Sequence, residues 1–269
     1  MRALRDWQAQ VVACREARLE SANQAWGRAA EWFDDWVRTN DYVDQVLPRL
    51  LEVLDPTSRV VEIGPGTGAF TLPLARAVEQ VVAVEPSAAM RAVLRRNLAR
   101  AGIDNVEVVP QPIEDALETL AGPFDLAFAS YSLYDVEAMD VVMRRLVELA
   151  THVVALMGSG EPREWERALH RRFVGQERVA PPQVQYFYPL LVEMGIYPDV
   201  EMLWTTYNHV YDSEEALVER WRRRFHLPES QGPILRQALL PLTERREGQL
   251  GIYQRSRAAL VWNERGRHV

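Results

Sequence analysis

Four residues at alternate positions carry the sharpest chemical signal: Glu62, Gly64, Gly66 and Gly68 in the run Glu62-Ile-Gly64-Pro65-Gly66-Thr-Gly68. A chain without Cβ atoms at those glycines can turn tightly and let a ligand come up against its backbone amides. A second acidic residue, Glu85, stands 21 residues after Gly64. A carboxylate at that distance, at the end of the next strand, can accept the two hydroxyls of a ribose. Loop and carboxylate together describe a cradle for a nucleotide or nucleoside.

Such a cradle needs strands to hold it. Val60-Val-Glu-Ile63 is a short β-branched run that delivers the loop, and a helix starting near Ala69 would point its free N–H groups at the same spot. Val81–Val84 reads as a second strand ending at Glu85, with Pro86 and then Ser87 as N-cap of a helix carrying Met90, Val93, Leu94 and Leu98. Val106–Val109, Phe124–Phe128 and His152–Leu156 complete five strands that alternate with helical segments. That rhythm calls for a parallel sheet with helices on both faces and chemistry at the carboxyl ends of its strands.

Outside this region the texture differs. Residues 1 to about 54 read as a helical cap, with Ala22, Trp26, Ala29, Ala30, Phe33 and Val37 on one face and Pro48 interrupting a helix from Asp41 to Leu54. Residues 55–269 form the core. Within them Val200–Tyr211 and Gln254–Trp262 read as the last strands, and helices around Glu214–Phe225 and Pro233–Arg246 fill a lid-like insertion at about 213–248.

Two ligand classes use a glycine loop of this kind. Gly64-x-Gly66-x-x-Ala69 satisfies the dinucleotide fingerprint. The same stretch resembles motif I of the class I S-adenosylmethionine-dependent methyltransferases, an acidic residue, x, then Gly-x-Gly-x-Gly, matched here by Glu62, Gly64, Gly66 and Gly68. The resemblance covers about residues 55–160. It implies a doubly wound, mostly parallel α/β sheet of seven strands, a Rossmann-like fold, with N-terminal helices and a helical insertion between the last two strands. It also implies S-adenosylmethionine as cofactor, held by Glu62, Gly64, Pro65, Gly66, Gly68, Glu85, Pro86, Gln111, Pro112, Ile113 and Ser130. Gln111 departs from the family's usual adenine-binding Asp, though an amide oxygen can still accept from the adenine amine.

The loop and the following Ala69-Phe-Thr-Leu-Pro-Leu74 also resemble the rRNA adenine dimethylases. Those enzymes carry an Asn-Leu/Pro-Pro-Tyr motif after the fourth strand, where this chain has Ala129-Ser-Tyr-Ser-Leu-Tyr-Asp135. The expectation is therefore a small-molecule acceptor contacting Tyr131 and Tyr134, with Asp135 the nearest candidate base and no catalytic residue assigned. The aromatics of the amino-terminal segment, Trp26, Trp32, Phe33, Trp36 and Tyr42, suit either a cover over a sulfonium or a plain helix–sheet core.

Composition sets the outer bounds. The 269 residues carry 31 basic and 38 acidic side chains, a formal charge of −7, which weighs against nucleic acid as partner. One cysteine, Cys14, fits a reducing, cytoplasmic setting without disulfides or a cysteine-built metal centre. The amino terminus lacks the apolar run of a signal peptide, and no uncharged apolar stretch is long enough to span a bilayer. No metal is expected, and a homodimer is compatible with the pattern. Lysine is absent, which removes the commonest short-chain oxidoreductase arrangement and leaves a nicotinamide-dependent oxidoreductase as the weaker enzyme reading. A non-catalytic cofactor-binding relative is the other alternative.

Overall fold

The computed structural model describes residues 1–18 and 22–264. In chain order the helices are α1 (Arg2–Glu16), α2 (Ala22–Arg38), α3 (Tyr42–Leu51), α4 (Thr71–Ala75), α5 (Ala88–Ala101), α6 (Ile113–Ala116), α7 (Met139–Leu149), α8 (Glu164–Val174), α9 (Val184–Glu193), α10 (Glu214–Arg224) and α11 (Gly232–Leu239). The strands are β1 (Arg59–Ile63), β2 (Gln80–Val84), β3 (Val106–Val109), β4 (Phe124–Ser130), β5 (Ala150–Gly158), β6 (Asp199–Thr206), β7 (His209–Tyr211), β8 (Glu244–Arg246), β9 (Gln249–Ile252) and β10 (Arg255–Glu264).

Seven strands make one sheet in the order β3-β2-β1-β4-β5-β10-β6. The first five are parallel, and β10 runs antiparallel between β5 and β6. The central strands are apolar because both their faces are covered. Val61, Ile63, Ala127, Ala129, Val153, Ala155, Ala259 and Val261 turn to one face, where α1, α6, α7 and α9 supply the cover. Val60, Leu126, Phe128, Val154, Leu156, Ala258 and Leu260 turn to the other, against α3 and α4. Strand order reverses between β1 and β4, one connection running outward to β2 and the other to β5. The crevice at that switch point is where a doubly wound sheet receives its ligand.

The amino-terminal helices do not act as one cap. Trp7 of α1 is fully buried on the back of the sheet, its ring tilted against Phe187 and its indole N–H donating to the Val136 carbonyl at 2.7 Å. α3 is tied to the edge strand by Asp41, which accepts from the Thr206 amide, and by the Arg49–Glu201 ion pair. Pro48 sits inside α3 without ending it. Only α2 reaches the crevice, laying Ala30 on Met90 and Val93 of α5.

The insertion between β6 and β10 is larger than the sequence reading allowed. The apparent strand Val200–Tyr211 is broken at 207–208, so that β7 leaves the main sheet and pairs with β9. The expected helix Pro233–Arg246 stops at Leu239, and its tail becomes β8, hairpinned to β9 through Glu247 and Gly248, both with positive φ. Leu169, Tyr211, Leu217, Trp221, Phe225, Leu235, Leu239 and Leu250 give this unit its own core. Register fixes its place. Ala258 faces Gly158 and Arg255 faces Thr206, so the insertion rises from the carboxyl edge of the parallel strands, beside the crevice.

Truncating Trp7 removes a fully buried side chain and its hydrogen bond. We expect Trp7→Ala to lower unfolding free energy by about 3 kcal/mol in urea titrations.

Candidate functional site

The loop after β1 is held in left-handed backbone at Gly64, Gly66 and Gly68, with φ of +67°, +59° and +98°. A Cβ at Gly64 would lie 2.3 Å from the Ser132 Cβ, and one at Gly68 would lie 2.5 Å from Leu72. Sterics alone therefore demand glycine at both. Three hydrogen bonds set the curve: Gly64 N–H to the Val84 carbonyl at 2.8 Å, Gly68 N–H to the Pro65 carbonyl at 3.0 Å, and Gly66 N–H to Glu85 Oε2 at 3.0 Å. The Ser132 hydroxyl donates to the Ile63 carbonyl and clamps the loop to the end of β4.

Glu85 is buried at the end of β2. Its other oxygen accepts from the Ser87 amide at 2.8 Å. Burial raises its carboxyl, opposed by the bonds from Ser87 and Gly66 and by the charge of Arg91. An ionised carboxylate has about four acceptor positions; the Gly66 and Ser87 amides take two of them. Gln111 lies next door, because β3 pairs with β2 up to Val109 and Glu85 N–H donates to the Val109 carbonyl. Pro112 caps α6, and Ile113, its first residue, is buried in the core.

Glu62 faces the other way. Its carboxylate is buried under the loop and accepts from the Thr71 hydroxyl at 2.6 Å. Burial is the main cause of its pKa rising to about 7, with the bond from Thr71 opposing it and the charge of Glu85 adding to it. The helix expected to begin near Ala69 is only the five-residue α4, starting at Thr71. The loop amides and the glycine backbone, rather than a long helix dipole, make the cradle.

Several parts of the site were missed. Thr67, between two of the glycines, has a buried hydroxyl with no hydrogen-bond partner. Asn97 on α5 donates one amide nitrogen to both the Thr67 carbonyl (3.0 Å) and Asp34 of α2 (2.9 Å). It is a polar residue inside the apolar stripe of its helix, which is a readable signal. Phe33 of α2 completes the cover, its ring 3.5 Å from where a Cβ on Gly66 would stand.

On the acceptor side, Ser130 ends β4 and Tyr131 follows with φ +52°. That conformation is costly for a residue with a Cβ and tends to occur where function fixes it. The kink throws the Tyr131 ring against Tyr42 at 5.7 Å and carries its hydroxyl toward Thr205, Arg163 and Tyr207. Burial pushes this phenol up to about 12, opposed by Arg163. Tyr134 stacks loosely on Tyr131, but its hydroxyl accepts from the Gly158 amide at 3.2 Å. Asp135 does not face the cradle; Arg18 holds its carboxylate at 2.6 Å. Beyond Tyr131, α8, α10 and β7 bring together Arg163, Glu166, Tyr207, His209 and Arg224, none of them foreseen. Burial alone would raise the Glu166 carboxyl, but Arg224, Arg178 and Arg163 bring it to about 2. Among the described residues no cluster of three or more metal-ligating side chains forms, and no helix is long and apolar enough to cross a membrane.

Sheet order, crevice and loop define the class I methyltransferase fold. Residues 60–153 match the methyltransferase domain family, so the chain carries a methyltransferase domain in that fold. The YcgJ protein of Bacillus subtilis superposes with a TM-score of 0.55 at 15% identity, covering 82% of this chain and 98% of its own. Magnesium protoporphyrin IX methyltransferase of Synechocystis, solved with bound S-adenosylhomocysteine, superposes at 0.51 with 14% identity over 96% and 93% of the two chains. In sequence, 76 residues are 41% identical to the 23S rRNA (uracil(1939)-C(5))-methyltransferase RlmD of Xanthomonas campestris, 27% of this chain and 17% of that one. Another 55 residues are 44% identical to ribosomal RNA small subunit methyltransferase A of Desulforapulum autotrophicum, 20% and 19% of the respective chains. The chain thus spans less than a fifth of the length of these relatives.

These relatives correct one expectation. A small-molecule acceptor, with nucleic acid disfavoured, was argued from net charge and from the missing Asn-Leu/Pro-Pro-Tyr motif; several relatives matched in sequence are ribosomal RNA methyltransferases. Net charge is a sum over the whole surface and does not report the arginines gathered at one edge of the site.

The raised Glu62 gives a pH signature. Its folded pKa of about 7 lies above the ordinary carboxyl value, so the native state holds the extra proton and its stability falls as pH rises between those two values. Glu62→Gln removes that dependence. Compared with the parent, the variant should gain on the order of 2 kcal/mol between pH 4.5 and 7.5 in denaturant titrations. A difference that stays flat with pH contradicts the assignment.

Proposed function

We propose that this chain transfers a methyl group from S-adenosylmethionine, and that RNA is its acceptor class. One observation carries the first half of the reading: a left-handed glycine loop that admits no Cβ at positions 64 and 68, pinned open by a buried carboxylate at its rim. The residues present fit the cofactor. The amides around Gly64 and Gly66 and the unpartnered Thr67 hydroxyl suit its amino-acid end, the spare acceptor positions of Glu85 suit its ribose, and Gln111, Pro112 and Ile113 line the place for its base. The second half rests on the two RNA-modifying relatives.

When bound, the cofactor supplies an electrophilic methyl on a sulfonium, and the displacement needs chiefly alignment and dryness from the protein. Phe33 and Trp36 of α2 wall the cradle and exclude water. Tyr131, held in its strained turn, positions the acceptor face at the end of β4. Asp135 is engaged by Arg18, so the reading assigns the protein a positioning role and no general base.

Calorimetry with S-adenosylhomocysteine tests the donor site. Binding is expected for the parent, and Glu85→Ala should weaken it by roughly tenfold or more, the worth of one or two hydrogen bonds to a charged group. Absence of binding at millimolar ligand overturns the reading. Transfer of labelled methyl to total ribosomal RNA tests the acceptor class; label that stays on the cofactor in the presence of RNA refutes that half.

A further inference from the structure

Past Tyr131 the carboxyl edge of the sheet holds an arrangement that cofactor binding does not use. Tyr207 is its hub. The Arg163 guanidinium lies flat on the Tyr207 ring at 3.6 Å, the His209 ring meets it edge-on at 4.8 Å, and the Trp36 indole meets it at 5.7 Å. The Tyr207 amide donates to the Gln254 carbonyl at 2.8 Å, which brings that side chain alongside.

Each of these four neighbours carries a buried polar atom with no hydrogen-bond partner: Arg163 Nε, His209 Nε2, Trp36 Nε1 and Gln254 Nε2. His209 is 4% exposed, and Gln254 has its amide orientation set by Trp165, which donates to its oxygen at 3.0 Å. Buried donors left without an acceptor cost roughly 1–3 kcal/mol each, and native structures rarely gather several in one place. The Arg163 Nε, the Trp36 indole and the Gln254 amide present donor atoms there without an acceptor, while Arg163 donates through its Nη2 to the Ser256 hydroxyl at 3.1 Å.

Charge points the same way. Arg163, Arg178 and Arg224 surround the buried carboxylate of Glu166, and Arg220 lies over Trp32 and Tyr211 one turn from Arg224. The charged groups acting most strongly on His209 are Arg224, Glu166, Arg220 and Arg163. Three guanidiniums share one carboxylate and a fourth, Arg220, lies one turn from Arg224, although the chain as a whole carries −7. Half-buried cations in excess attract an anion, and planar guanidiniums match an oxyanion's geometry.

We propose that the Tyr207 cluster is an oxyanion subsite beside the transfer site, taking a phosphate group through Arg163 and Arg220 at its rim and through Trp36, His209 and Gln254 at its floor. Its meaning as an acceptor subsite rests on the methyl-transfer reading. The phosphate of a nucleotide and free inorganic phosphate share the required chemistry, and the trapped donors are satisfied by either.

The test uses the full chain saturated with S-adenosylhomocysteine and titrated calorimetrically with uridine 5′-monophosphate, uridine and inorganic phosphate. The nucleotide should bind at least roughly tenfold more tightly than the nucleoside, as charge-assisted hydrogen bonds require. Arg163→Gln and Arg220→Gln should each erase most of that preference while leaving S-adenosylhomocysteine affinity unchanged. Arg220 is the safeguard, because it is not among the arginines bonded to Glu166 and its replacement leaves that buried carboxylate paired. Competition by inorganic phosphate assigns the subsite to the bare anion; a nucleotide preference without such competition assigns it to a phosphate carried by the acceptor. Equal binding of nucleotide and nucleoside, or a preference that survives both substitutions, overturns the proposal. If the parent fails to bind S-adenosylhomocysteine, the methyl-transfer reading falls, while phosphate binding measured on the same sample still decides the subsite.

Discussion

The bond from the Gly66 amide to the Glu85 carboxylate is the constraint on which the site depends. It joins the ends of β1 and β2 beside the switch point and holds a backbone that residues with a Cβ adopt at a cost. Everything that gives the loop its shape is local to it: the Val84 carbonyl, the Pro65 carbonyl and the Ser132 hydroxyl each take or give one bond. In the proposed reading the same carboxylate that shapes the loop also meets the ribose of the cofactor. Structure and recognition therefore draw on one group, and a change at Glu85 acts on both.

Around that bond the sheet acts as a rigid frame. Strict alternation along β1, β4, β5 and β10 divides the apolar side chains between two cores, which leaves no freedom for the register to slip. Glu62 is the exception within β1, a buried carboxyl on the face of Val60. Its bond to Thr71 fastens the start of α4 beneath the loop. The polar group is retained there at a cost in stability that grows as it ionises.

The parallel core was legible in the sequence because its strands are continuous apolar runs and its glycines can serve few other purposes. Glu85 was legible because spacing fixes the end of the second strand. The acceptor side was not. His209 and Tyr207 read as residues of one long strand, and nothing in the local pattern marks the break at 207–208 that sends β7 into a separate sheet. Strand β8 was read as the end of a helix because Leu239, Leu240 and Leu242 prolong the apolar stripe of α11, while Glu247-Gly248 is too weak a turn signal to outweigh it. Nothing in the sequence singles out Glu166. Only the fold packs three arginines from α8, its following loop and α10 around it. Net charge misled for the same reason: a scalar cannot describe where charge sits.

Helix α2 contributes to both sides of the crevice. Asn97 ties Asp34 of this helix to the carbonyl of Thr67 in the glycine loop, and Phe33 rests on that loop. One turn further on, Trp36 is a wall of the cluster around Tyr207. A rigid rod anchored in two compartments cannot vacate one and stay seated in the other. A shift of this helix that uncovered the loop would therefore also draw the Trp36 indole away from Tyr207.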